Sequence, residues 1–162
     1  MFLIKITFKK LLLMSLQKYV SEIKFIDQNQ ELIYNYLSDF NNFAPFFNET
    51  TLGKISEKIP QIKISNFEYD SDSCRFNILK MGHTEIRIIN REPAKTIKIS
   101  NLNGAPFAFT FWIQLISVSP YRTKIRLTMH AELTAMIKML VNKKLEKGIN
   151  QLADTLTKMP YH

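Results

Sequence analysis

The stretch Thr134 to Met159, TAMIKMLVNKKLEKGINQLADTLTKM, constrains every other part of this chain. Ile137, Val141, Leu145, Gly148, Leu152 and Leu156 recur at spacings of three and four, flanked by Leu140 and Ile149. That spacing lays one apolar stripe along a helix of about seven turns. Lys143, Lys147 and Lys158 fall on the other side. Thr134 suits the N-cap, where a hydroxyl accepts from a free backbone N–H. Pro160, with no N–H to donate, ends the helix. A helix this long with one apolar face needs a broad apolar surface to lie on.

The preceding residues supply that surface as strands. Tyr19 to Ile26 is rich in aromatic and β-branched residues and reads as the first strand. Asp27 or Asn29 then caps a helix carrying Leu32, Ile33, Tyr36 and Leu37 on its apolar face. Asn41 to Asn48 holds Phe43, Phe46 and Phe47 around Pro45 and reads as a second short helix. Glu49 to Pro60 is polar and reads as a loop or a further helical turn.

Alternation follows in Gln61–Tyr69, with an irregularity expected at Asn66, and a turn at Asp70-Ser71-Asp72. Strands are expected over Ser73–Lys80, Thr84–Arg91 and Lys95–Asn101, with a turn at Asn103-Gly104. The strongest strand is Phe107–Val118. Phe107, Phe109, Phe111, Ile113 and Leu115 share one face, and Ala108, Thr110, Trp112 and Gln114 the other. Thr123–Leu133 returns with Ile125, Leu127, Met129 and Ala131 opposed to Lys124, Arg126, Thr128 and His130. Clean alternation means one sheet face is buried and one is wet.

The 162 residues read as one domain, large enough to bury its own core. A single cysteine, Cys74, excludes an internal disulfide and fits a reducing compartment, so a cytoplasmic location is expected. No apolar run reaches the ~18 residues of a membrane span. The opening MFLIKITFKKLLLM is basic and apolar. Its uninterrupted apolar part, Leu11–Met14, is shorter than the ~7–15-residue core of a signal peptide. Residues 1–13 are therefore read as an extension, with Met14 as an alternative start and residues 14–162 as the domain. A targeting peptide and an integral first element are the other readings.

The formal charge is +8. Three of the lysines, Lys5, Lys9 and Lys10, precede Met14, which leaves +5 for the domain. The remaining lysines are scattered along the sequence and read as solvated surface, so no nucleic-acid partner is expected. A nucleic-acid role requires one contiguous basic face and steeply salt-dependent binding.

The element order is a strand, two short helices, a run of antiparallel strands and a long C-terminal helix. With the stretches TEIRIINREP (Thr84–Pro93), FTFWIQL (Phe109–Leu115) and LTAMIKML…QLADTLTKMP, it resembles small bacterial members of the START/SRPBCC superfamily. That superfamily includes the birch-pollen-allergen and polyketide cyclase-like proteins. The resemblance implies an α+β helix-grip fold over about Tyr19 to Met159: a curved antiparallel sheet wrapped around the C-terminal helix. It also implies a cavity between sheet and helix that takes a lipid, sterol or polyketide-like molecule. Some members are enzymes, some carriers, and some have a filled core.

On that basis the expected wall residues are Phe76, Ile86, Ile88, Ile97, Ile99, Phe109, Phe111, Ile113, Leu127 and Met129, facing Met136 and Leu140. Phe43, Phe46 and Phe47 fall where the short helices close one end. Phenylalanines and methionines are also ordinary core residues. Trp112, alternating to the outer face, is expected in a homodimer contact; cross-strand packing is the competing account.

His83, His130 and His162 lack metal-site spacing, and no metal or cofactor is expected. Asp39, Tyr34 and Tyr36 lie near the expected lid with nothing to pair them for acid–base work. Neither G-x-S-x-G nor a phosphate-binding glycine motif is present. Three functions stand open. The first is a non-catalytic binding protein for a small hydrophobic ligand. The second is a cyclase or dehydratase with an inward ionisable group. The third is an interaction protein with a filled cavity working through its outer face.

Overall fold

A computed structural model describes residues 5, 13–46, 50, 53, 57, 63–80, 82–102 and 107–162. The chain runs β1 (Met14–Val20), β2 (Lys24–Ile26), α1 (Gln30–Leu37), α2 (Phe40–Phe43) and a 3₁₀ turn (Ala44–Phe46). It continues through β3 (Ile64–Tyr69), β4 (Ser73–Ile78), β5 (Gly82–Glu92), β6 (Thr96–Asn101), β7 (Phe109–Ser119) and β8 (Arg122–Thr134), and ends in α3 (Ala135–Leu156). The expected extension over residues 1–13 lies outside the described residues apart from Lys5 and Leu13. The stretch expected as loop or helix over residues 49–60, and the turn at Asn103-Gly104, lie largely or wholly outside them too.

The described strands form one eight-stranded antiparallel sheet in the order β1-β8-β7-β6-β5-β4-β3, with β2 also on β8. The expected first strand is therefore two pieces on one neighbour. Ser21 makes the break: its buried Oγ accepts from Leu127 N (2.9 Å) while its N–H donates to Leu127 O (2.9 Å). A hydroxyl thus satisfies a ladder donor that would otherwise be orphaned. At the opposite edge, β3 shifts register against β4 between Ser65 and Glu68, where Asn66 takes φ 53°. That is the irregularity the sequence marks, since Asn tolerates the left-handed region better than most residues.

The helices start where the caps are. Asn29 Oδ1 accepts from Glu31 N and Leu32 N, Asp39 Oδ1 from Asn41 N, and Thr134 Oγ1 from Ile137 N. Helix α1 is pinned across one end of the sheet by Gln30 Nε2, which donates to Ala94 O and Leu115 O, and by Thr123 Oγ1 donating to Gln28 O. Arg91 ties the α1–α2 corner to the β3–β4 turn by bonding Ser38 O and Asp72 Oδ1.

The core lies between the inward sheet face, α1 and the C-terminal half of α3. Ile97, Ile113, Leu115, Ile125 and Leu127 are buried there with Ile33, Leu37 and Phe40, and with Ile149, Ala153 and Leu156 from α3. Among the described residues, no helix is long and apolar enough to cross a membrane.

Candidate functional site

Burial is uneven along the space between sheet and helix. The end covered by α1 is closed. Toward the other end the same inward face carries Phe67, Phe76, Ile86, Phe107, Phe109, Phe111 and Met129, all half-buried. Strand pairing makes them neighbours: Phe111 stands between Ile99 and Met129, Ile86 opposite Cys74, and Phe76 opposite Thr84. Phe67 stacks on Phe76 at 6.1 Å, and Phe107 meets Phe109 edge-on at 6.2 Å. From the helix, Ile137, Val141 and Leu145 face this surface and are also half-buried. The N-terminal half of α3 and the ends of β4, β6 and β7 therefore face each other across an apolar recess whose described lining is half-buried.

Among the described residues, polar groups within it are few. Asn101, buried between β6 and β7, donates to Phe107 O (2.6 Å) and accepts from Phe109 N (2.9 Å), which shapes the start of β7. Tyr19 Oη donates to Asn142 Oδ1 (2.7 Å), and burial, then the nearby Glu146 carboxylate, raises its pKa. Cys74 lies beneath Ile86. Burial, reinforced by the Asp70 carboxylate, pushes its thiol up to about 12. Both groups hold their protons at neutral pH, so neither supplies a base or a thiolate. No cluster of three or more metal-ligating side chains exists among the described residues.

Of the wall residues read from the sequence, Phe76, Ile86, Phe109, Phe111 and Met129 come together in the recess. Ile88, Ile97, Ile99, Ile113 and Leu127 sit behind them as closed core. Met136 (53% exposed) and Leu140 (68% exposed) stand on the outward side of α3; Ile137 and Val141 take the inward positions. One residue along a helix is a rotation of about 100°, which separates the two sets. Phe43 packs on Phe40 at 5.1 Å. Phe46 opens instead onto a surface pocket of about 410 Å³ with Leu32, Tyr36 and Pro160. Phe47 lies outside the described residues.

Sequence reasoning passed over Phe67, Phe107 and the Ile137–Val141–Leu145 run as wall residues. Their signal was present as strand alternation and as the helical stripe itself. Trp112 points outward as its alternation requires, and is half-buried between Lys98 and His130.

No family model matches the chain, and no curated protein matches its sequence. Solved structures do match. The norcoclaurine synthase of Thalictrum flavum, solved in complex with dopamine and hydroxybenzaldehyde, is similar over 93% of this chain and 89% of its own. The TM-score is 0.59 at 9% identity. A protein of Thermus thermophilus is similar over 88% of this chain and 95% of its own, with TM-score 0.57 at 13% identity. The Zhui aromatase/cyclase of Streptomyces sp. R1128 covers 88% of this chain and 92% of its own, with TM-score 0.50 at 14% identity. At these identities the likeness is one of fold. With its curved antiparallel sheet, its short helices after the first strands and its long C-terminal helix, the chain has the helix-grip fold of the SRPBCC/Bet v1-like proteins.

Proposed function

We propose that this protein binds a small hydrophobic molecule, of lipid, sterol or polyketide-like character, in the recess between the sheet and the N-terminal half of α3. The observation that carries this reading is the half-burial of Phe76, Phe109, Phe111 and Met129 opposite Ile137 and Val141. Apolar side chains that face inward yet keep water contact gain by being covered, at ~25 cal/mol per Å². The fold supports the reading, since similar structures include a synthase solved with two aromatic compounds and an aromatase/cyclase. Binding is preferred to a cyclase or dehydratase activity because, among the described residues, Tyr19 and Cys74 are the ionisable groups identified at the recess, and neither is a carboxylate or imidazole that could serve as a base.

Native mass spectrometry of the protein purified from its own host, with organic extraction of bound material, tests this directly. An apolar adduct lost on denaturation supports it. A neutral fluorescent probe, Nile red, gives a second readout. Val141→Glu places a charge in the recess and is expected to abolish the probe's emission gain, whereas Lys98→Glu on the outer face leaves it unchanged. Equal emission from both variants would sink the proposal.

A further inference from the structure

The outward face of the sheet gathers charge that the linear sequence scatters. Strand pairing sets Lys98 of β6 opposite Trp112 of β7, and Trp112 opposite Thr128 of β8. Lys18 of β1 stands opposite His130, and Arg126 opposite Gln114. Lys124 lies two residues along β8 from Arg126, on the same face. The Lys98 ammonium is 5.6 Å from the Trp112 ring centroid, and the His130 ring meets the indole edge-on at 4.7 Å. A depression of about 250 Å³ opens here, walled by Lys18, Trp112, Arg126 and His130 among others. Gln114 Oε1 accepts from both Arg126 Nε (3.1 Å) and Thr128 Oγ1 (2.9 Å), which holds the guanidinium beside the indole.

None of Lys18, Lys98, Lys124 and Arg126 pairs with a carboxylate among the described residues. Glu132, opposite Leu16 near the end of β8, is the one described acidic residue on the outward face of β1, β8, β7 and β6. Lys18, Lys98, Lys124 and Arg126 thus share one face of the sheet, interleaved with the exposed Leu16, Val20 and Ile116.

We propose that this outer face binds single-stranded nucleic acid. One base stacks on Trp112, while Lys18, Lys98, Lys124 and Arg126 take the neighbouring phosphates. Stacking needs only a π-face, which every base has, and a cationic track follows the backbone without reading sequence. The track from Lys18 on β1 to Lys98 on β6 crosses three strand spacings, about 14 Å. A second copy of this chain would set the four cations against their own counterparts, which electrostatics opposes. An acidic protein surface matches the charge but leaves the indole between the cations without a stacking partner.

Trp112 is the chain's single tryptophan, so its intrinsic fluorescence reports on this face alone. The experiment titrates the full chain with an oligothymidylate at increasing salt. Quenching of Trp112 is expected. Log affinity should fall with log salt at a slope of about −3, from about −0.7 per phosphate engaged by four cations. Trp112→Ala weakens binding roughly tenfold, read by anisotropy of a labelled strand. The paired substitution Lys18→Glu and Lys98→Glu abolishes binding while circular dichroism stays unchanged.

Absence of binding at low salt overturns the proposal. So does thymidine monophosphate binding as tightly as the strand, or polyglutamate competing equally. A concentration-dependent dimer that buries Trp112 and excludes the strand overturns it as well.

Discussion

Tyr19 on β1 and Asn142 on α3, 123 residues apart in the chain, are joined by a 2.7 Å hydrogen bond from hydroxyl to side-chain carbonyl. Asn150 Oδ1 takes the Glu22 N–H at 2.8 Å, and Asp154 pairs with Lys24 at 3.0 Å. Asn142, Asn150 and Asp154 lie at multiples of four residues and so form one stripe on the helix. The helix is therefore held along the β1–β2 edge by a polar seam, while its apolar stripe meets the sheet face. Tyr19→Phe removes one stitch of that seam. It is expected to destabilise the fold by about 1 kcal/mol, which lowers Tm by about 2–4 °C, measured by thermal unfolding.

The two halves of the core should respond differently to truncation. Leu127 is fully buried in the closed half. Leu127→Ala is expected to cost about 3 kcal/mol in urea unfolding, from lost transfer energy and a residual cavity. Val141 is half-buried at the recess. Val141→Ala should cost about 1 kcal/mol or less. Comparable losses at both positions would show that the recess is packed.

Alkaline pH should destabilise the protein through Cys74 and Tyr161. The Tyr161 hydroxyl donates to Leu156 O at 2.5 Å, and burial raises its pKa, as burial raises that of Cys74 to about 12. Both pKa values are higher folded than unfolded. Their contribution is therefore complete below the ordinary thiol and phenol values of about 8.5 and 10, and is lost as pH rises through the folded values. Urea midpoints measured between pH 8 and pH 11 are expected to fall, and Cys74→Ala should flatten the first part of that decline. In the native state Cys74 should react with a thiol reagent only slowly, and rapidly once unfolded.

At acid pH the corresponding group is Asp70. Its carboxylate accepts from the N–H of Asp72, from Arg75, and from both the N–H and the hydroxyl of Ser73. These bonds hold it well below the usual carboxylate range. Its contribution is present above the unfolded value of about 3.9 and disappears as pH falls through the folded one. Asp70→Asn should give a shallower acid limb in a stability–pH profile.

Ala94 occupies the third position of the turn Glu92-Pro93-Ala94-Lys95, with φ 63° and Lys95 N donating to Glu92 O at 3.0 Å. Proline second and a positive φ third define a type II turn, which favours glycine at that place. Ala94→Gly is expected to stabilise the protein by about 1 kcal/mol, seen as a higher Tm.

What the sequence made legible was mostly local. Thr134 caps the helix and Asn66 breaks β3 because each effect depends on a side chain acting on its own backbone. Alternation likewise separated Phe111 from Trp112. The polar seam was not legible, because Asn142 and Asn150 read as ordinary solvated positions until Tyr19 and Glu22 are known to lie beside them. The basic face was hidden for the same reason. Lys18, Lys98 and Arg126 are distant in sequence and become neighbours only through the register of β1, β6, β7 and β8. The division between closed core and recess depends on where α1 stops covering the sheet, which periodicity does not encode.

The placement of β1 against β8 also governs the order of folding. Ser15 and Leu133, paired across the two strands, are separated by 118 residues. Closing so long a loop costs entropy that local hairpins such as β7–β8 avoid. During synthesis β1 emerges before its partner and must wait, with Met14, Leu16 and Val20 unpaired, until β8 has left the ribosome. The β7–β8 hairpin, whose pairing is local, is expected to form before the β1–β8 pair. The zipping of β1 onto β8, which lets the Tyr19–Asn142 seam form, is therefore expected late in folding.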